Sequence, residues 1–411
     1  MTHPRPGATY DAVVVGARVA GAATAMLLAR RGLRVLAIDR SRYGSDTLST
    51  HALMRAGVLQ LHRWGLLDRV EAAGTTAIRS TAFHYADEVI DIAIKARDGI
   101  GALYAPRRTV LDALLVDAAR ESGAEVVHGL RLVDLVLGVE NRVSGVLVQD
   151  LDGSVMRIGS ERVIGADGLR STVGRLVGAE PYHVGRHASS NVYAYWEDLD
   201  MEGYHWYYRP GVSVGAIPTN DGRICIFASS PPKRFSEEIR FDIAAGYHRV
   251  LEETSPELAE TVARGRRVGS LHGFPGQVGF FRQSWGRGWA LVGDAGYFKD
   301  PITAHGISDA LRDAELLARA IVQGSEKALA DYQSTRDALS RGLFEVSDGI
   351  ASFEWDLEAV KSMHLTLSKE MNREVAALVE LHAGSSVDDL QSQRGTVAGP
   401  PDKGTVATAR T

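Results

Sequence analysis

Residues 13–21 read Val-Val-Val-Gly-Ala-Arg-Val-Ala-Gly, an apolar run entering a turn that Gly16 opens and Gly21 closes. Three valines before a glycine predict a short buried strand. The stretch GAATAMLLARR at 21–31 then carries a helical apolar face ended by Gly32. A second strand, RVLAID, closes at Asp39. This β-α-β unit is built to hold a phosphate. Gly16 permits the tight turn, Gly21 lets helix and sheet approach, and the free amides of the helix N-terminus face the anion. Asp39 follows Gly21 by eighteen residues, where a carboxylate can accept hydrogen bonds from ribose hydroxyls. Arg18 stands where the middle glycine of such a turn is usual, so its guanidinium either points outward or takes a phosphate oxygen itself. Alone, the unit fits a nucleotide site and fits equally a β-α turn packed for structure.

The chain has 411 residues, more than one core usually serves, which predicts two closely joined domains. Apolar residues at 45% and charged residues at 24% are the proportions of an ordinary soluble globular protein. A net charge of -5 argues against nucleic acid or an anionic membrane surface as partner. Cys225 is the single cysteine, so no disulfide, zinc-thiolate or iron–sulfur site is expected within one chain, and no metal site is expected at all. The opening MTHPRPGATYD lacks the apolar core of a signal peptide, and no apolar run reaches bilayer length. A reducing, cytoplasmic setting is the expectation.

Farther along, 52–73 is expected to be helical and TVLDALLVDAARESG at 109–123 predicts a strong amphipathic helix. Residues 124–170 alternate apolar and polar as a meander. Residues 186–230 are strand-like and rich in aromatics, 237–265 return to helix, and helices are expected over 307–323 and through 325–384. Few large apolar residues follow, so 385–411 is expected to be a disordered tail.

Two later segments bear on the opening turn. One is Val163-Ile-Gly-Ala-Asp-Gly168, followed by Leu-Arg-Ser. The other is Leu291-Val-Gly-Asp-Ala-Gly296, which continues through Pro301 and His305 to Gly306-Ile307. Each is an apolar strand ending in an aspartate among small residues. In this order, across about residues 8–340, the three segments resemble the FAD-dependent flavoprotein monooxygenases of the aromatic-hydroxylase type. The resemblance implies an α/β fold with a glutathione-reductase-like, Rossmann-type FAD-binding domain, an inserted mixed β-sheet substrate domain and C-terminal helices. The FAD-binding domain would be discontinuous over 8–75, 100–185 and 271–340, the substrate domain would take 76–99 and 186–270, and the C-terminal helices would fill 341–384.

The same resemblance implies the cofactor contacts. Gly16, Ala20 and Gly21, with Arg18 beside them, would take the pyrophosphate, and Asp39 and Arg40 the adenosine end. Arg55 would be a second contact, Arg108 would lie near the ribityl chain, and Leu132 joins the set. Asp167 is associated with FAD and with a visiting nicotinamide, and Asp294 holds ribityl hydroxyls. Pro301 shapes the loop beside the isoalloxazine, and Gly306 and Ile307 open a helix whose positive end favours the anionic reduced flavin. The family commonly has Ala-His where this chain has Gly296-Tyr297, and glycine in place of His305; these departures bear on substrate orientation.

No second Gly-x-Gly-x-x-Gly occurs, so NAD(P)H would be a transient reductant, NADPH among the candidates, or a partner flavin reductase would supply the electrons. The implied reaction uses O2, through a flavin hydroperoxide, to hydroxylate or epoxidise a small aromatic or polyketide-like molecule. Candidates for acid–base work are His51, Tyr297, Lys299 and His305. Tyr193, Tyr195, Trp206 and Tyr208 would wall a flat substrate, or would simply pack within a sheet. Asp300-Pro301, Thr303 and Gly306 also resemble the geranylgeranyl-reductase branch, which leaves a double-bond reductase as the alternative. A flavin halogenase is disfavoured, because His-Trp-Tyr-Tyr-Arg-Pro at 205–210 does not match that group's Trp-x-Trp-x-Ile-Pro. A non-enzymatic nucleotide-binding or redox-sensing module is the third reading.

Overall fold

The computed structural model describes residues 9–383, so the expectation of a disordered tail at 385–411 lies outside the described residues. The opening valines form the strand Ala12–Val15, buried at every position. Such a strand belongs inside a parallel sheet covered on both faces. It is central in a six-stranded sheet whose order is Trp285–Gly286, Trp289–Leu291, Val163–Gly165, Ala12–Val15, Val35–Asp39 and Glu125–His128. All neighbours run parallel except the Trp285–Gly286 edge. Val15 pairs with Gly165 and with Ile38, and Gly165 pairs with Leu291. Gly16, Asp39, Asp167 and Asp294 therefore leave the sheet from the same edge. In an open α/β sheet that edge is where ligands sit.

One face of this sheet is covered by the helices Val19–Arg30, Arg108–Glu121 and Gly306–Gln323. The other is covered by a four-stranded sheet of Thr9–Tyr10, Val155–Ser160, Val143–Gln149 and Arg131–Leu137. Leu132 packs in that second layer among Val146, Val148 and Ile158.

The strands Ser80–Tyr85 and Glu88–Ala93, from 76–99, join five strands between Ser190 and Phe274 in a seven-stranded sheet. Ser80–Tyr85 runs parallel to Tyr204–Arg209 and every other pairing is antiparallel, which makes the sheet mixed. Strand alternation sorts its aromatics. Tyr193, Tyr195, Trp206 and Tyr208 face the main core with the nucleotide-fold helices, whereas Trp196 and Tyr207 face the helices Ile243–Thr254 and Pro256–Arg264.

Local chemistry divides two stretches read as single helices. The stretch 52–73 holds Arg55–Arg63 and Leu67–Ala72, separated at Gly65 with φ 73°. The stretch 237–265 is broken before Pro256, where Ser255 caps the second helix. Two long helices, Glu326–Ile350 and Leu357–Ala383, follow. No helix among the described residues is long and apolar enough to cross a membrane.

Candidate functional site

Gly16 has φ 101°, and a Cβ there would lie 2.4 Å from the carbonyl oxygen of Ala166. The turn is thus pressed against the start of the Asp167 loop, and only glycine fits. The amide of Ala17 donates to Asp39 Oδ2 at 2.8 Å, while Asp39 Oδ1 accepts from the amide of Ser41 at 2.8 Å. Asp39 thereby ties the first turn to the second strand. Beside it opens a shallow cleft lined by Ala17, Arg18, Asp39, Ser45, Asp112 and His128. Arg40 is exposed just beyond.

Arg18 does not point outward. It reaches Asp112 Oδ2 at 3.0 Å and the carbonyl of Ser45 at 2.8 Å. Arg108 meets the same carboxylate with Nε at 2.8 Å and Nη2 at 3.1 Å. Asp112 is buried and was not anticipated, although its i,i+4 spacing from Arg108 on a helix was a readable signal. Arg55 departs from its expected place: its guanidinium donates to the carbonyls of Lys95 at 2.7 Å and Ile100 at 2.9 Å, because it starts its helix facing that loop.

Ser171 caps the helix Thr172–Leu176, and Asp167, just before it in the chain, accepts from the amides of Thr172 at 2.6 Å and Val173 at 3.2 Å. Burial nonetheless raises its pKa. Asp294 is different. Its carboxylate has no hydrogen-bond partner among the described residues, and burial, with Asp309 nearby, pushes its pKa up to about 6 against the pull of Arg108 and Lys299. A half-buried carboxylate at a strand end, beside a glycine cradle and a helix N-terminus, fits a ligand that brings its own hydroxyl donors and a diphosphate. FAD is such a ligand.

Downstream, the Asp300 carboxylate accepts from the amide and hydroxyl of Ser189, each at 2.6 Å, and from the amide of Ile302 at 2.9 Å. It pins the Pro301–Thr303 turn to the seven-stranded sheet, and burial raises its pKa to about 7. Ala304 then takes φ 50° and Gly306 and Ile307 open the helix Gly306–Gln323. Lys299 is buried and paired with Asp309. Asp309 Oδ1 accepts from Arg312 at 2.9 Å, and Arg312 also reaches Glu374 at 2.7 Å, whose other oxygen lies 2.6 Å from His305 Nε2. Glu374 was also missed; it lies in the last helix, with no local pattern to announce it. Tyr297 packs its ring 4.6 Å from that of Phe281, in an aromatic cluster with Phe344. Burial raises its pKa well above the usual value.

His51 is fully buried, with φ 67°, and its Nε2 lies 2.5 Å from the hydroxyl of Tyr195. Its Nδ1 has no partner among the described residues. Burial, followed by the charge of Arg108, lowers its pKa to about 3, so the ring is neutral near neutral pH. Tyr193 stands edge-on to Tyr195 at 5.9 Å. Trp206 donates to Thr81 Oγ1 at 3.0 Å. Tyr208 is farther along the face, 4.4 Å from the ring of His364 on the last helix. Tyr193 and Tyr195 are thus brought together with His51, while Tyr208 is covered by the C-terminal helices.

The sequence model described as FAD binding domain matches residues 9–347. Digeranylgeranylglycerophospholipid reductase 1 of Methanococcoides burtonii is 29% identical over 79% of this chain and 78% of its own length. Menaquinone reductase of Mycolicibacterium smegmatis is 27% identical over the same two shares. Among solved structures, the flavin-dependent brominase Bmp2 superposes with TM-score 0.75 at 19% identity, covering 92% of this chain and all of that one. PqsL of Pseudomonas aeruginosa, in complex with 2-aminobenzoylacetate, gives TM-score 0.72 at 21% identity over 87% of this chain and all of its own. At such identities these likenesses speak for the fold.

Proposed function

This chain belongs to the FAD binding domain family, and from that premise we propose that it is a monooxygenase, inserting one oxygen atom of O2 into a small aromatic or polyketide-like molecule, with NAD(P)H as reductant. The coarser statement, an FAD-dependent oxidoreductase, follows from the family and the fold. One observation carries the finer reading: a sheet face bearing Tyr193, Tyr195 and Trp206 closes over the core beside buried His51, whose Nδ1 has no partner among the described residues. Stiff aromatic walls with a single polar hook suit a flat molecule carrying a hydroxyl or amine.

Bound FAD supplies the electron transfer and the activation of O2. The amides after Gly16 and the N-terminus of Val19–Arg30 would hold the diphosphate, and Asp294 would accept from the ribityl hydroxyls. With a pKa near 3, His51 is a weak base. Its role is to hold and orient a substrate hydroxyl through Nδ1, with Tyr195 fixing the ring. The buried Lys299–Asp309–Arg312–Glu374 cluster holds the 299–309 segment, which leads into the helix Gly306–Gln323, rigid and dry.

A second reading, a flavin-dependent double-bond reductase, is favoured by the reductase names of the sequence relatives. Turnover with NAD(P)H against a panel of phenols, arylamines and prenylated quinones, under labelled oxygen gas, separates the two. One labelled atom in the product supports oxygenation. A hydrogenated product formed equally well without oxygen overturns it in favour of the reductase.

A further inference from the structure

We propose that Arg18 is a clamp: from the place of the turn's middle glycine it fastens residues 41–46 over the cofactor cleft, and so governs how fast FAD leaves. The inference rests on FAD binding and is independent of which reaction follows.

Arg18 precedes the helix Val19–Arg30 with an extended backbone, and its side chain makes no capping bond. It crosses the cleft instead. Nη1 donates to the carbonyl of Ser45 at 2.8 Å and to Asp112 Oδ2 at 3.0 Å, and Nη2 donates to Ser45 Oγ at 3.1 Å, with longer contacts to the carbonyl of Asp46 at 3.4 Å and Ser41 Oγ at 3.5 Å. One guanidinium therefore joins three segments that are far apart in sequence: the phosphate turn, the loop after Asp39 and the helix Arg108–Glu121.

The loop it holds is the wall of the site. Ser41, Arg42, Gly44 and Ser45 line the same cleft as Ala17 and Asp39. A second guanidinium holds the far side of the loop: Arg107 Nη2 reaches Asp46 Oδ2 at 2.6 Å, with its guanidinium carbon 4.3 Å from the Tyr195 ring centre. The loop ends at His51, itself bonded to Tyr195. Residues 41–51 thus form a strap running from the adenosine end of the cleft to the substrate face, latched by Arg18 at one end. Asp112 fixes the latch in register, since it is held in turn by both Nε and Nη2 of Arg108. Nη1 alone serves the Ser45 carbonyl and Asp112, and the second arm of the fork, Nη2, adds Ser45 Oγ; a lysine ammonium is a single point and lacks that second arm.

The test is FAD release from the full-length, FAD-loaded protein, followed by flavin fluorescence after dilution into an excess of an FAD-specific apoenzyme that traps the released cofactor. Arg18→Gly restores the usual turn residue and leaves the Ala17–Asp39 bond untouched, and Asp112 keeps Arg108, so the apoprotein is expected to fold with its melting temperature lowered by only about a few degrees. Release is expected to quicken by about tenfold or more, the loss of several charged hydrogen bonds. Asp112→Asn is expected to fall between parent and Arg18→Gly, and Arg18→Lys to recover little of the parental rate. Release from Arg18→Gly at the parental rate overturns the clamp, and so does tighter retention, which would make Arg18 an obstacle. A parent protein with no affinity for FAD overturns the clamp and the FAD reading together, whereas equal rates in parent and variant overturn the clamp alone.

Discussion

Glu374 Oε2, on the last helix, lies 2.6 Å from Nε2 of His305, on the loop that leads into the helix Gly306–Gln323. The family match ends at residue 347, so a side chain from beyond it completes the charge balance beneath the cofactor loop. The other oxygen of Glu374 takes Arg312, and both residues are wholly buried.

Removing Glu374 takes one of three carboxylates from Arg312, which keeps Asp309 and Asp313, and deprives both Arg312 Nη1 and His305 Nε2 of a partner in a buried interior. Glu374→Ala is expected to cost about 3–5 kcal/mol of folding stability, and Glu374→Gln less, since the amide oxygen still accepts. Urea unfolding of both variants against the parent measures this. A Glu374→Ala variant as stable as the parent would remove the cluster's structural role.

Asp294 titrates near pH 6 without its ligand because burial raises it. Ribityl hydroxyls donating to it favour the ionised form, so FAD binding expels a proton wherever the carboxyl is still protonated. Affinity is therefore expected to weaken as pH falls through about 6 and to level off above it. Fluorescence titration across that range reads the dependence, which Asp294→Asn should flatten while yielding largely colourless protein.

A Cβ at position 21 would lie 1.8 Å from the carbonyl oxygen of Gly16. That neighbour is backbone in the phosphate turn and has no room to give. Gly21→Ala is expected to cost at least about 1–3 kcal/mol and to abolish FAD retention. The melting temperature and the visible flavin absorbance after purification check both expectations.

His364 is held neutral by burial, with its pKa lowered to about 4, and its Nδ1 lies 2.7 Å from the hydroxyl of Tyr85. A histidine with a depressed folded pKa stabilises the fold above its unfolded pKa, and that contribution drains away as pH falls towards the folded value. His364→Phe is thus expected to be more costly near neutrality than at about pH 5. Comparing parent and variant at each pH cancels the opposite trend from Asp294 and Asp300, whose pKa values are raised. A cost that grows on acidification would contradict the burial-driven shift.

Much of this was legible in the chain alone, because it is local. The valines before Gly16, the glycine spacing and the strand-ending aspartates 39, 167 and 294 are short-range signals, and they led to the α/β fold and to FAD. Side-chain direction was not legible. Whether Arg18 turned outward or across the cleft depended on Asp112, 94 residues away, and Arg55 found its acceptors 40 or more residues downstream. Glu374 reaches His305 only because the last helix packs back over the core, and His51 meets Tyr195 only through the closure of one sheet on the other. Periodicity and turn chemistry act within a few residues, so they determine elements and their order. The partner of a long charged side chain is decided by whichever counter-charge the finished packing brings within 3 Å or so of it, and only the tertiary structure decides that.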